Sequence, residues 1–411
     1  MQGIPGPIYP QLPAPLPAPA ATQPQRLPIY LDPVVGWALL FAFITRFGLA
    51  IAGWYSLRIF PRLPFYPAQQ PDSFFPDKPW IDGWIRWDSA HYIALAKYGY
   101  GGNNPSPGGG WGFFPLYSLL MRGFNQILFL PITERNLALA GLVIANLCFI
   151  GLVALVARWS AELFGDDAAR STTILLCLSP FSFFFNVAYT ESLFVLLVTA
   201  TLMLAGKNKW IPAGLVAGLA TGTRLVGLAL IPAILLLAYK RRASLLETIT
   251  AVGLSCYGVL IFGAYSAWKT GNPFEYFKAQ AEWGDWGDHV RFYAELFVKQ
   301  PKEALNGDPR HLIIVLNVAL FLIALAWLPA VWKRLDPGIA LFTTLIVIGQ
   351  GIMTWVSLGR YLLPAMGIYL VAGRWMAETK RSPWTRECIC AIGAIAVTTL
   401  LILFAHGFWV I

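Results

Sequence analysis

The sequence predicts an all-α protein that crosses a membrane many times. Of its 411 residues, 57% are hydrophobic and 12% are charged, whereas soluble globular proteins carry about 25% charged residues. The hydrophobic residues gather in runs that approach the roughly 20 residues of a membrane-spanning helix. The 17 Trp, 16 Tyr and 27 Phe residues are enough to line both membrane interfaces. The net charge of +9 indicates anionic lipid rather than nucleic acid, because no basic run is longer than Lys240-Arg241-Arg242.

Eleven apolar segments predict eleven spanning helices. Two of them could form one long helix, but Gly222-Thr223-Arg224 between them indicates a break. Residues 1–34 contain many Pro and Ala and predict a disordered cytoplasmic tail. Residues 35–411 then form a single transmembrane domain. The segments are 35–56, 137–157, 172–187, 190–206, 211–223, 225–239, 247–268, 311–332, 339–356, 360–376 and 388–410.

The distribution of basic residues predicts the orientation. With the N-terminus in the cytoplasm, the short loops that carry most Lys and Arg all face the cytoplasm, as the positive-inside rule requires. The two long loops, 57–136 and 269–310, then lie outside. The short cytoplasmic loops are 158–171, 207–210, 240–246, 333–338 and 374–387.

The first outer loop, 57–136, is too long to be only a connector. Residues 84–99 have aromatic and leucine side chains at near-helical spacing, which predicts an amphipathic helix lying on the membrane surface. Residues 101–112 include six glycines and predict a mobile loop. We interpret the apolar stretch 113–130 as re-entrant or interfacial, because a full span here would invert every later loop.

This topology brings polar residues from distant segments to one face of the membrane. Asp88 and His91 are three residues apart, which places them on the same face of a helix. Charges and broken helices at membrane depth are tolerated where they line a cavity. The sequence therefore predicts an outward-facing polar cavity, lined by Arg86, Asp88, His91, Asn186, Tyr189, Thr190, Glu191, Arg224, Arg360 and Tyr361.

Each charged residue also has a structural interpretation. Asp88 could cap or salt-bridge the surface helix, and Arg86 could extend to lipid headgroups. Glu191 begins an apolar helix, where a carboxylate suits the positive helix end. Arg360 lies at the start of a helix, where the macrodipole disfavours a cation and an anion should compensate it.

Two further features have open alternatives. Arg224 lies between two apolar runs with no adjacent acid, which favours a site role. Asp285 and Asp288 in the second outer loop suggest a metal. The aromatic residues between them are more typical of contact with substrate or headgroups, and solvated loop charge is the default interpretation.

A carboxylate and several arginines outside a bilayer point to sugar transfer from a lipid phosphate. One carboxylate can remove a proton from an attacking hydroxyl, and arginines can bind the departing phosphate. A phosphate leaving group needs no general acid, unlike the paired carboxylates of most glycoside hydrolases. The first outer loop has no Asp-x-Asp element to hold a nucleotide-sugar metal, so we expect neither metal nor cofactor. The alternative is a lipid-linked sugar flippase or transporter, which also uses intramembrane charges.

At these residues the chain resembles the PIG-V-type mannosyltransferases, the family of GPI mannosyltransferase II and its bacterial relatives. Where relatives often show Arg-Ser-Asn-Gly, this chain has Arg224-Leu225-Val226-Gly227, so a GPI precursor is not implied as the acceptor. The ordered blocks that carry the resemblance are Trp87-Asp88-Ser89-Ala90-His91-Tyr92, Gly99-Tyr100, Phe113-Phe114-Pro115-Leu116-Tyr117, Ser179-Pro180, Ala188-Tyr189-Thr190-Glu191-Ser192-Leu193-Phe194 and Arg360-Tyr361-Leu362-Leu363-Pro364.

The resemblance implies the GT-C membrane glycosyltransferase fold, a polyprenyl- or dolichyl-phosphate-mannose donor and inversion at the sugar carbon. It also implies that Asp88, an Asp of the first outer loop, is the base. Our hypothesis adds membrane lipids and a glycolipid acceptor as partners. It expects a bacterial plasma membrane, or the endoplasmic reticulum in a eukaryote, with the site on the non-cytoplasmic face.

We assign hypothetical roles to the other residues of the predicted cavity. The donor phosphate would be held by Arg360 and Arg224. Sugar or acceptor would be oriented by His91, Tyr189 and Glu191. Trp87 and Phe114 would pack on sugar or isoprenoid, and Arg86 and Tyr361 complete the predicted binding residues.

Overall fold

The computed structural model describes residues 26–60, 73–282, 302, 309–353, 357–378, 383–408 and 410. Asp285, Asp288 and residues 1–25 of the predicted tail lie outside the described residues. Within the described ranges, all regular structure is helical. The α-helices in chain order are α1 (Pro33–Ile59), α2 (Pro79–Asp82), α3 (Asp88–Tyr98), α4 (Leu116–Ile127), α5 (Glu134–Phe164), α6 (Asp166–Leu178), α7 (Glu191–Gly206), α8 (Trp210–Thr221), α9 (Leu230–Lys240), α10 (Leu245–Thr270), α11 (Glu275–Ala281), α12 (Pro309–Arg334), α13 (Pro337–Met353), α14 (Leu358–Tyr361), α15 (Met366–Glu378) and α16 (Pro383–Ala405).

Five of these helices, α1, α5, α10, α12 and α16, are long and apolar enough to cross a bilayer. Their most apolar windows have a mean hydropathy of 1.8 to 2.6, and each exceeds the roughly 20 residues that a span requires. The chain is therefore an integral membrane protein, as the composition predicts.

The remaining apolar segments form shorter helices separated by breaks. The predicted break at Gly222-Thr223-Arg224 is confirmed, since α8 ends at Thr221 and a 3-10 helix, Leu225–Ala229, leads into α9. The predicted helix 172–187 is wrong. Helix α6 ends at Leu178, and Ser179 is extended (φ −55°, ψ 137°) because a residue before proline avoids helical geometry. The predicted helix 360–376 is likewise divided into α14 and α15 around Pro364.

The predicted amphipathic surface helix over 84–99 is also wrong in extent and in environment. Helix α3 begins at Asp88, because the preceding residue, Trp87, has a positive φ of 52° that interrupts helical geometry. Five consecutive residues, 92–96, are buried, so the helix packs inside the protein on most of its circumference. It contacts α4 and α5. The buried side of α3 fixes the position of the helix, and Asp88 at its start remains partly exposed.

Helix α4 corresponds to the stretch predicted to be re-entrant or interfacial. Its 12 residues rise only about 18 Å, less than the roughly 30 Å hydrocarbon core. Tyr117 and Met121 are buried on one face, while Leu119, Leu120 and Ile127 are exposed on the other. This length and pattern agree with a helix that does not cross the membrane.

Glycines bring α8 and α10 into direct backbone contact. Gly214, Gly218 and Gly222 lie four residues apart on one face of α8 and its end. A Cβ atom at Gly218 would lie 2.4 Å from the carbonyl oxygen of Leu254, and one at Gly258 would lie 2.1 Å from that of Gly218. Small residues at this spacing allow close packing of membrane helices. The contact fixes the end of α8, from which Arg224 follows.

Salt bridges show which helix ends share one side of the molecule. Arg158 near the end of α5 binds Asp32, the N-cap of α1, at 2.9 Å, and also binds Glu162 at 2.7 Å. Lys207 at the end of α7 binds Glu162 at 2.8 Å. At the other end of α5, Glu134 binds Lys97 of α3 at 2.9 Å. Helix α3 of the first long loop therefore lies at the end of α5 opposite the one that contacts the N-terminus of α1.

Candidate active site

The turn before α3 is held by a buried tyrosine from a distant segment. The hydroxyl of Tyr189 accepts a hydrogen bond from the backbone N–H of Asp88 and donates one to the carbonyl of Arg86, both at 3.1 Å. Tyr189 is fully buried. Because one hydroxyl satisfies both backbone groups, Tyr189 joins the start of α3 to the corner before α7 and sets the direction of the Asp88 side chain.

Arg360 lies between two carboxylates. Its Nη1 atom is 2.8 Å from Oδ2 of Asp88, and its Nε atom is 3.3 Å from Oε1 of Glu191. The Arg360 and Glu191 side chains are each 3% exposed, while that of Asp88 is 21% exposed. The sequence predicts one anion to compensate Arg360, and the structure has two, the carboxylates of Asp88 and Glu191. Ion pairs in this environment are weakly screened by solvent.

A second arginine completes the charged cluster, which we define as Asp88, Glu191, Arg224 and Arg360. Arg224 Nη1 binds the same Glu191 oxygen at 2.7 Å and lies 3.3 Å from the Thr190 hydroxyl. Two carboxylates and two guanidiniums give the cluster no net charge. The Arg224 side chain is 19% exposed, so it can meet a ligand more readily than Arg360.

Aromatic rings surround the two guanidiniums of the charged cluster. The Arg360 guanidinium lies 4.7 to 5.4 Å from the ring centroids of Tyr361, Tyr189 and Phe184. Arg224 lies 4.8 Å from the Tyr361 ring. Arg360 Nη2 also donates to the Tyr361 hydroxyl at 2.8 Å. These cation–π contacts stabilise guanidinium charges that are largely shielded from water.

A small recess opens beside the charged cluster. One part of its wall is polar and the other is apolar, which suits an amphipathic ligand whose polar head carries an apolar chain. The lining residues are Glu191, Phe194, Val195, Arg224, Val226, Gln350, Arg360, Tyr361 and Pro364.

His91 lies on α3 one turn after Asp88, as the spacing predicts. Its Nδ1 atom is 3.0 Å from the Ser106 hydroxyl, and its ring stacks on Phe113 with centroids 4.9 Å apart. Burial lowers the pKa of the imidazole below its ordinary value, although the Asp88 carboxylate opposes this shift. Burial therefore favours the neutral form of the His91 imidazole.

Three predicted binding residues make contacts with other parts of the protein. Arg86 Nη1 binds the buried Asp82 at 2.7 Å, and its Nε donates to the Ala405 carbonyl at 3.3 Å. The Trp87 indole donates to the Phe408 carbonyl at 3.3 Å. Phe114 is 4% exposed and packs on Phe262 and Tyr276.

Sequence reasoning missed Asp82 and Gln350. Asp82 precedes Arg86 by four residues, and this helical spacing of opposite charges was the available signal. Gln350 is an amide within an apolar segment, where polar groups usually face a cavity.

Asn186 was expected at the site, but its amide donates to Asn146 at 2.7 Å. Among the described residues, no three His, Cys, Asp or Glu side chains are grouped as metal ligands.

Comparisons with known proteins match part of this chain. The chain is 28% identical over 153 residues to mouse GPI alpha-1,6-mannosyltransferase 2, an alignment covering 36% of this chain and 30% of that protein. It is 29% identical over 149 residues to Schizosaccharomyces pombe GPI mannosyltransferase 2, covering 35% and 30%. The aligned part of the chain thus spans less than a third of each relative.

The apo oligosaccharyltransferase crystal structure from Archaeoglobus fulgidus superposes with a TM-score of 0.39 and 14% identity, over 88% of this chain and 55% of that one. The model of the mannosyltransferase (PIG-V) family matches residues 76–283, half of this chain. This range contains Asp88, Glu191 and Arg224 of the charged cluster. The chain belongs to the PIG-V family of mannosyltransferases.

Proposed function

We propose that this protein transfers mannose from a polyprenyl- or dolichyl-phosphate-mannose donor to a hydroxyl of a glycolipid or related acceptor. One observation carries the proposal: Arg360 is bound to Asp88 and Glu191, so that two carboxylates and two guanidiniums lie beside a partly polar recess. The family match supports the transferred sugar. The helices that cross the bilayer support a donor carried on a lipid.

The chemistry assigned to Asp88 is general base catalysis. Its carboxylate takes the proton of the acceptor hydroxyl while the hydroxyl oxygen forms a bond to the anomeric carbon. The bond between that carbon and the phosphate oxygen breaks, and the phosphate leaves with the electron pair. Attack opposite the leaving group inverts the anomeric configuration. The 21% exposure of the Asp88 side chain supports its access to an acceptor.

The two arginines would bind the donor phosphate. A phosphodiester donor carries one negative charge, and the phosphate gains a second as it leaves, so two guanidiniums stabilise the transition state more than the bound donor. Arg224 is the more exposed of the two. On this proposal Arg360 exchanges its bond to Asp88 for the phosphate when the donor binds, which frees the base.

The remaining residues have supporting roles in this proposal. Tyr189 and His91 position α3 and its base, and Tyr361 orients Arg360 through its hydroxyl. Arg86, Trp87 and Phe114 have contacts that favour positioning of the backbone around the site. We extend the proposal to a GT-C-type arrangement of about eleven crossing segments, with the site on the non-cytoplasmic face, which the basic loops support.

The test is transfer of mannose by the purified protein in nanodiscs. A short-chain polyprenyl-phosphate-mannose donor is supplied with a lipid extract of the host, and mannosylated products are detected by mass spectrometry. We expect product with the wild type and a loss of about 10²–10⁴-fold with Asp88→Asn. Asp77→Asn is the matched control, because Asp77 lies on the same loop, is 56% exposed and pairs with Arg135 at the surface.

Two outcomes would contradict the proposal. Retained transfer by a folded Asp88→Asn protein would remove Asp88 as the base. Movement of the donor lipid between leaflets with no covalent product would favour the flippase alternative over a transferase.

A further inference from the structure

One oxygen of Glu191 is left without a partner. Its Oε1 atom forms ion pairs with both Arg224 and Arg360. Its Oε2 atom is buried and has no hydrogen-bond partner among the described residues. Glu191 lines the recess. A buried acceptor without a donor is unfavourable by about 1–3 kcal/mol, so the free oxygen indicates that a ligand supplies the donor.

Gln350 brings a second polar group to the same recess. It lies near the end of α13, between Gly349 and Gly351 in an otherwise apolar run. Its side chain is half-buried, and within the described part of the chain no side-chain hydrogen bond involves its amide. An amide in a membrane helix faces a partner or a cavity, because hydrocarbon offers no hydrogen bonds. Here the cavity is the recess that Glu191 also lines.

The hydrogen-bonding groups of Glu191 and Gln350 favour a neutral polyol as the ligand. A carboxylate oxygen accepts hydrogen bonds and repels phosphate, so the free side of Glu191 is unsuited to the donor's charged group. An isoprenoid chain has no donors to satisfy it. A sugar hydroxyl satisfies both groups, since it donates to the carboxylate and accepts from the amide.

We infer that Glu191 Oε2 and Gln350 bind hydroxyls of the hexose being transferred, and that Gln350 is a specificity-determining residue. This inference rests on the proposed function. The phosphate is bound on the arginine side of the recess, and the sugar is bound on the Glu191–Gln350 side.

The test is a thermodynamic cycle between protein and sugar. Wild type and Gln350→Met, which keeps the side-chain length, are assayed with polyprenyl-phosphate-mannose and with donors lacking the 2-, 3-, 4- or 6-hydroxyl. Gln350→Met should raise the KM for the full donor about fivefold to tenfold, the loss of one hydrogen bond. With one deoxy donor the substitution should have almost no further effect, because the bond is already absent.

Gln126→Met is the matched control, since Gln126 is exposed on α4 outside the recess; its kinetics should equal those of the wild type. The inference is overturned if Gln350→Met reduces activity equally with every deoxy donor, as a structural role would. It is also overturned if only the KM for the acceptor changes. A wild type that transfers no mannose overturns the proposed function, and the inference with it.

Discussion

The guanidinium of Arg360 lies 2.8 Å from the carboxylate of Asp88, a residue 272 positions earlier in the chain. The contact joins the start of α3 in the first long loop to α14 near the other end of the sequence. Because the same guanidinium also contacts Glu191, the three segments that form the site depend on one side chain. The site is therefore an ion-pair arrangement in which the Asp88 carboxylate and the Arg360 guanidinium satisfy each other.

Replacing Arg360 should destabilise the protein. Arg360→Met leaves Asp88 without its ion pair and removes one of two cations from the buried Glu191, and loss of one member of a buried ion pair is unfavourable by about 3–5 kcal/mol. Arg360→Lys should be less destabilising, because it keeps the charge but loses the fork that reaches several partners. Thermal unfolding in detergent measures both. A melting temperature of Arg360→Met equal to that of the wild type would contradict this account.

Arg224→Gln should act mainly on donor binding. Its side chain is partly exposed, so stability should fall less than with Arg360→Met. The KM for the lipid-phosphate donor should rise about 10- to 100-fold, as expected for a lost charge-assisted hydrogen bond. Arg241→Gln serves as the control, since Arg241 pairs with Asp336 between α9 and α13, away from the recess. An equal effect of both substitutions would argue against phosphate binding by Arg224.

His91 should make stability depend on pH in the acidic range. Its pKa is lowered in the folded protein by burial, so the unfolded chain takes up the proton first, near pH 6.5. Stability is then complete above that pH and falls progressively as the pH drops below it. Melting temperatures between pH 5 and 8, compared for wild type and His91→Gln, measure the effect. The variant should show a shallower acid slope, and identical slopes would show that other groups cause it.

The contact between α8 and α10 should tolerate no added methyl group. In Gly218→Ala the new Cβ atom meets the Leu254 carbonyl at 2.4 Å, a backbone atom that cannot rotate away. We expect a loss of about 1–3 kcal/mol and reduced transfer, because Arg224 follows α8 directly. Gly48→Ala in α1 is the control, since nothing lies within 4 Å of its Cβ position. The measurements are thermal unfolding and mannose transfer by both variants. Equal stability and equal transfer in Gly218→Ala and Gly48→Ala would contradict this prediction.

Much of the site could be predicted because its charged residues stand at the ends of apolar runs. Glu191, Arg224 and Arg360 interrupt or begin such runs, and topology alone places these positions at a common depth. The partner of Arg224 could not be predicted, since Glu191 is 33 residues away and no local pattern links them. The same applies to Arg360 and Asp88.

The incorrect predictions have local physical causes. Aromatic spacing predicted a surface helix over 84–99, but aromatic residues at helical spacing are equally suited to packing inside a protein, and α3 is buried by α4 and α5. The helix predicted over 172–187 ran through Ser179-Pro180, where the residue before proline leaves helical geometry. Gln350 was overlooked because a single amide barely changes the hydropathy of its segment.

The sequence by itself determined the class of the molecule, because hydropathy is a property of each segment taken alone. It also determined that polar residues gather at one end of the helices, since charge avoids hydrocarbon wherever the chain permits. Only the tertiary structure decided which charges pair, that Tyr189 positions Asp88, and that Glu191 and Gln350 share a recess. Those relations depend on how the helices pack in three dimensions. Packing brings together residues that are far apart in the sequence, and no local sequence pattern predicts their contact.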